Sequence, residues 1–117
     1  MNVAIVNNEI DVSNNYNLQH KKYDFIRIGF IMSKNVTPMN ANSINYYYNK
    51  IFNQKYVSTQ RIAQILRQKP NLFIGSKVDE GKARQTKTYT FKGKIKLNKT
   101  TQFNWNNKAE NYFLNNP

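Results

Sequence analysis

The chain has 117 residues, 39% hydrophobic and 14% aromatic, which fits one small domain with a single core. Eighteen Lys and Arg face six Asp and Glu, a net charge of +12, and a field of that sign draws in polyanions. There is no Cys, which excludes disulfide scaffolds, thiolate zinc sites and Cys nucleophiles, and no apolar run has the length of a membrane span.

The first residues, MNVAIVNNEIDV, carry neither a basic leader nor a long apolar stretch. They do not read as a signal peptide, and the expectation is an intracellular protein of the cytoplasm or nucleoid. Residues 1–21 are polar and Asn-rich with one apolar stretch, Val3 to Val6, and read as a flexible arm or one strand. Asn makes up about one residue in six of the whole chain, the mark of an AT-rich genome.

From Tyr23 the sequence runs YDFIRIGFIMS. Phe25, Ile28, Ile31 and Met32 fall at helical spacing, and Ile26 and Phe30 widen the stripe. The β-branched and aromatic content and Gly29 argue for a strand, but the order of the elements after it favours a helix. KNVTPM, residues 34–39, is a turn. In the stretch Asn40 to Phe52, Ile44, Tyr47, Tyr48, Ile51 and Phe52 mark one face of a second helix, with Asn45 and Tyr46 facing outward. Ser58 is suited to cap a third helix, TQRIAQILRQK, which stops at Pro70. Its buried stripe is Ile62, Ile65 and Leu66, with Ala63 for close approach, and its other face carries Gln60, Arg61, Gln64, Arg67 and Gln68.

Beyond Pro70 the period shifts towards two. Leu72 to Ile74 is a short strand, SKVDEGKARQ a polar hairpin tip, and TKTYTFK the clearest strand of the chain. KIKLNK is a further short strand. The tail, TTQFNWNNKAENYFLNNP, either packs a short helix on the domain or hangs free. The division is thus an arm (1–21), a domain (22–97) and an Asn- and aromatic-rich extension (98–117).

Helix, helix, helix and a hairpin with a charged tip, in that order, resembles the winged helix-turn-helix superfamily of DNA-binding domains, as in small regulators of archaea and their viruses. The resemblance covers about residues 23–92, and YVSTQRIAQILRQKPNLF carries most of it. It implies an α+β fold of three helices plus a β-hairpin wing, with double-stranded DNA as partner. The role it implies is a transcription regulator or a genome-associated protein.

The physical case stands beside the resemblance. The major groove admits one α-helix, where Arg pairs with guanine and Gln with adenine. The N-terminal part of a recognition helix meets the bases. Thr59, Gln60, Arg61 and Gln64 are therefore candidates for base edges, and Arg67, Gln68 and Lys69 for phosphates. An ordinary solvated helix face is the alternative, since Gln and Arg are good helix formers. At the hairpin, Lys77, Lys82, Arg84 and Lys87 cluster, with Arg84 suited to a narrow minor groove, although Asp79 and Glu80 sit at the same tip.

Lys92, Lys94 and Lys96, with Lys99 beyond, are either a row of phosphate contacts or the charged side of an edge strand. Lys21 and Lys22 make a weak basic arm, with Glu9, Asp11 and Asp24 nearby. Tyr46, Tyr47 and Tyr48 are core residues for the most part, or a stacking platform for single strands.

A catalytic reading finds no support. His20 is the only His, no glycine-rich phosphate loop exists, and the carboxylates form no recognisable pair. No cofactor, metal or small-molecule substrate is expected. Two other classes compete: an RNA-binding or ribosome-associated basic protein, and a winged-helix protein-interaction module that docks a partner through its aromatic tail. A homodimer, if formed, would use the Trp105–Leu114 segment.

Overall fold

The protein is described from a computed structural model over residues 5–35, 37–54, 56–76 and 87–113. The apolar run after Tyr23 is a helix, α1 (Asp24–Lys34), in which every residue from Asp24 to Met32 is buried. A helix apolar nearly all round belongs at the centre of a fold, and the other elements gather on this one. Gly29 is needed for that: the Phe91 ring lies so close that a Cβ would meet its Cζ at 2.7 Å.

The next two helices start and stop where their polar residues dictate. The Asn40 side chain accepts from the Ser43 N–H (2.8 Å) to cap α2 (Ala41–Phe52), and Asn53 ends it in the left-handed region, φ 51°. Ser58 accepts from the Arg61 N–H (3.1 Å) to cap α3 (Thr59–Gln68), as the sequence predicts. Ile44, Tyr48 and Ile51 of α2 and Ile62, Ile65 and Leu66 of α3 turn into the core with α1.

Among the described residues, six short strands form two three-stranded sheets. They are β1 (Ile5–Val6), β2 (Glu9–Asp11), β3 (Met39–Asn40), β4 (Phe73–Gly75), β5 (Thr88–Phe91) and β6 (Lys94–Lys96). In the order β3-β5-β4, the predicted hairpin pairs antiparallel with Phe73 opposite Phe91, and β3 adds to its other side through Met39 and Tyr89. The second sheet has the order β1-β2-β6. Its first two strands form a hairpin turned by Asn7 and Asn8, both at positive φ (52° and 63°), the pattern of a tight primed turn. The third runs parallel to β2 with Ile10 opposite Ile95.

The second sheet overturns the flexible-arm reading of residues 1–21 over its described part. Ile10, Val12 and Leu18 are buried, the Val12 N–H donates to the Lys96 carbonyl (2.9 Å), and Asn98 Nδ2 donates to the Asn15 carbonyl (3.1 Å). The tail is likewise part of the core. Asn98 caps α4 (Lys99–Phe113) by accepting from the Thr101 N–H (2.8 Å). Trp105 packs edge-on to Phe30 (5.2 Å) and Phe52 (4.9 Å) between ring centroids, and Phe113 stacks on Tyr47 (4.5 Å). Trp105 and Ala109 are buried inside the chain's own core. The architecture is α+β with four helices and two small sheets, one helix and one sheet more than three helices and a wing. No described helix is long and apolar enough to cross a membrane.

Truncating the fully buried Ile10 should test how far the N-terminal segment belongs to the core. Ile10→Ala should lower unfolding free energy in urea by about 2–5 kcal/mol, and Trp105→Ala by about 3–5 kcal/mol. A change within about 0.5 kcal/mol, as at surface positions, would return these segments to the status of appendages.

Candidate nucleic-acid interface

The third helix is held by a buried charge network. Asp24 and Arg27, one turn apart on α1, are each 1% exposed and form an ion pair. Arg27 Nε donates to Tyr48 Oη (2.5 Å), Nη1 to the Leu18 carbonyl, and Nη2 to the His20 carbonyl (3.1 Å) and Tyr56 Oη (3.0 Å). Asp24 Oδ1 accepts from Tyr48 Oη (3.0 Å) and Tyr56 Oη (2.8 Å) as well as from Arg27. Asp24 Oδ2 accepts no hydrogen bond and meets only Arg61 Nε, at 3.5 Å.

That last contact changes the reading of Arg61. Its side chain is 36% exposed and its Nε faces Asp24, so it ties the first turn of α3 to α1. Lys69 is half-buried, with its Nζ 4.3 Å from the centre of the Phe25 ring. Thr59 is half-buried. Gln60, Gln64, Arg67 and Gln68 are exposed and lie at i, i+4, i+7 and i+8, so they share one face of α3. Opposite them Ile62, Ile65 and Leu66 are buried, and no acid occurs anywhere in the helix.

At the hairpin, Lys77, Lys82 and Arg84 lie outside the described residues, as do Asp79 and Glu80. Lys87 is half-buried with its Nζ 5.4 Å from the centre of the Tyr89 ring. The row Lys94–Lys96 sits on β6, at the edge of its sheet, with Lys94 opposite Glu9 and Lys96 opposite Asp11. Lysines on an edge block unwanted pairing, and here acids also face them, so the edge-strand reading of the row is favoured. Hydrogen bonds from the Ser13 hydroxyl and amide hold the Asp11 carboxyl below the usual range, with a smaller contribution from Lys96. In the tyrosine run, Tyr48 is fully buried, Tyr47 half-buried and Tyr46 exposed, which matches the core reading for two of the three.

No family model, curated protein or solved structure matches the chain.

Sequence reasoning missed the Asp24–Arg27 pair, although an acid and a base at i, i+3 inside an apolar run was the available signal. Tyr56, which links that pair to α3, carried no signal of its own.

Removing one partner of a buried pair leaves an uncompensated charge. Asp24→Ala should therefore cost about 3–5 kcal/mol in chemical denaturation, far more than truncating an exposed acid such as Glu110, which should stay within about 0.5 kcal/mol. Equal small losses would make the network ornamental.

A second outcome concerns pH. Burial pushes the Tyr48 phenol above its ordinary value of 10.0, and burial with a hydrogen bond to Asp24 does the same at Tyr56. The folded state thus holds these protons more tightly than the unfolded chain. Their contribution is complete below about pH 10 and is lost as pH rises beyond it. Tyr48→Phe should flatten this alkaline fall in stability; an unchanged alkaline limb would remove Tyr48 as its source.

Proposed function

We propose that the chain is a duplex-DNA-binding protein of the winged helix-turn-helix type, acting as a transcription regulator or on the genome as a whole. The observation that carries this is the two-sidedness of α3. One face is locked into the core through Ile62, Ile65 and Leu66, while Gln60, Gln64, Arg67 and Gln68 stand exposed on the other. A helix that enters the major groove needs both properties, and Gln and Arg are the side chains that make paired hydrogen bonds to adenine and guanine.

The surroundings support the same reading. α2, the short connection 53–58 and α3 succeed one another as a helix-turn-helix. The turn is fixed by buried Val57, whose carbonyl accepts from Asn45 Nδ2 at 3.1 Å. The β4–β5 hairpin comes directly after α3, in the place of a wing. α4 and the β1-β2-β6 sheet are additions that join the same core through Ile10, Trp105 and Ala109.

Since Arg61 is paired with Asp24, the reading face is tested without it. Gln60→Ala/Gln64→Ala/Arg67→Ala should weaken duplex DNA binding at least about tenfold in fluorescence anisotropy, as each paired base contact contributes about 1–3 kcal/mol. With about six phosphates engaged, the log–log salt slope of the unaltered protein should be near −5. Preference for duplex RNA or single strands, a flat salt dependence, or indifference to the triple substitution would overturn the proposal.

A further inference from the structure

The turn that precedes α1 lies in the same constellation as the first turn of α3. Residues Lys21–Tyr23 form a single 3-10 turn, capped by His20, whose Nδ1 accepts from the Lys22 N–H (3.1 Å). Arg27 fixes its position from below by taking the His20 carbonyl at 3.1 Å and the Leu18 carbonyl beside it. Lys21 Nζ lies 5.2 Å from the centre of the Tyr56 ring, Tyr56 Oη donates to Asp24 (2.8 Å), and Asp24 meets Arg61 of α3 at 3.5 Å. Contacts therefore run without a break from Lys21 to α3.

Charge in this region is not balanced. Arg27 and Arg61 share one carboxylate, Asp24, which is 1% exposed and already accepts three donors, and Lys21 is joined to it only through Tyr56. Of the other acids near the two lysines in the sequence, Glu9 and Asp11 are on β2, opposite Lys94 and Lys96. Both ammonium groups rest against aromatic rings, Lys21 on Tyr56 and Lys22 on Tyr23, each at 5.2 Å. This holds them near the surface and leaves their N–H donors available. Lys21, Lys22 and Tyr56 are exposed.

We propose that the Lys21–Lys22 turn is a second DNA contact, seating the phosphodiester backbone of the strand that flanks the groove entered by α3. This rests on the duplex-binding reading above. Phosphate contacts position a protein without reading sequence, so the turn would set how α3 is presented and not which bases it prefers.

The test uses the full chain and duplex DNA oligonucleotides of two unrelated sequences, titrated by anisotropy across a salt series. Each lost phosphate contact lowers the steepness of the log–log slope by about 0.9. Lys21→Gln/Lys22→Gln should reduce it by about 2 and weaken binding at low salt at least about tenfold on both sequences alike, while Lys21→Arg/Lys22→Arg keeps the original slope. Lys92→Gln/Lys94→Gln removes the same charge beside the other sheet and should change the slope by less than half as much. Each single Lys→Gln variant should give about half the effect of the pair, so the outcome does not depend on the double variant folding. If the unaltered protein binds duplex DNA with a steep slope and the Lys21/Lys22 variants match it, or if both pairs act equally, the turn is not the contact and the α3 reading stands. If the unaltered protein shows no salt-dependent duplex binding, both fall together.

Discussion

Taking a carboxylate and a guanidinium out of water costs several kcal/mol each, and their attraction offsets this only where the remaining donors and acceptors are also met. Asp24 and Arg27 meet that condition almost completely, and their partners come from nearly every part of the fold. Leu18 and His20 supply carbonyls from the N-terminal segment, Tyr48 a hydroxyl from α2, Tyr56 a hydroxyl from the connection to α3, and Arg61 a second cation from α3 itself. A core of Ile, Leu and Phe can slide with modest loss, because apolar contacts are not directional. A guanidinium with fixed acceptors cannot. The network therefore sets the register of four segments against one another, and with it the angle at which α3 is presented.

The one unmet atom is informative. Asp24 Oδ2 accepts no hydrogen bond, and Arg61 approaches it only to 3.5 Å, at the half-exposed margin of the network. A fully satisfied carboxylate would have left Arg61 free in solvent; an isolated one would have pulled it fully inside. In its intermediate position Arg61 has a fixed place at the start of the helix. The exposed face of α3 then begins at Gln60 and runs through Gln64 to Arg67 and Gln68.

How much of this was legible in the sequence varied with how local the signal was. α2 and α3 were readable because their apolar residues recur at helical spacing and Ser58 stands where an orphan N–H needs an acceptor. The β4–β5 hairpin was readable from its period of two. The N-terminal strands had the same period, with Ile10 and Val12 alternating with Glu9, Asp11 and Ser13, but the stretch is so short and so rich in Asn that polarity masked it. Its partner, Ile95 on β6, is more than eighty residues away, and nothing local announces a parallel pairing across that distance. In α4, Trp105, Ala109 and Phe113 repeat at i, i+4 and i+8, yet exposed Phe103 on the same helix blurs the stripe. Of the candidate site, the outer face of α3 was visible as residue types; the pairing of Arg61 was not, because Asp24 reaches it only through the tertiary fold.

The distribution of the few acids decides where a chain of +12 is most open to a polyanion. Glu9 and Asp11 face lysines across a parallel ladder, so the positive charge of β6 is partly answered within its own sheet. Asp24 is sealed between Arg27 and two tyrosines and answers a buried cation more than the surface ones. Glu110 lies on α4. Neither α3 nor the Lys21–Tyr23 turn itself contains an acid, and their exposed residues include Lys21, Lys22, Gln60, Gln64, Arg67 and Gln68. A chain that needed only solubility would gain most by spreading its charge evenly. Pairing acids with lysines at one sheet and burying another acid against α3 does the opposite: positive charge is partly answered at the β2–β6 ladder and left standing elsewhere, which is the uneven field that the proposed duplex-binding reading needs.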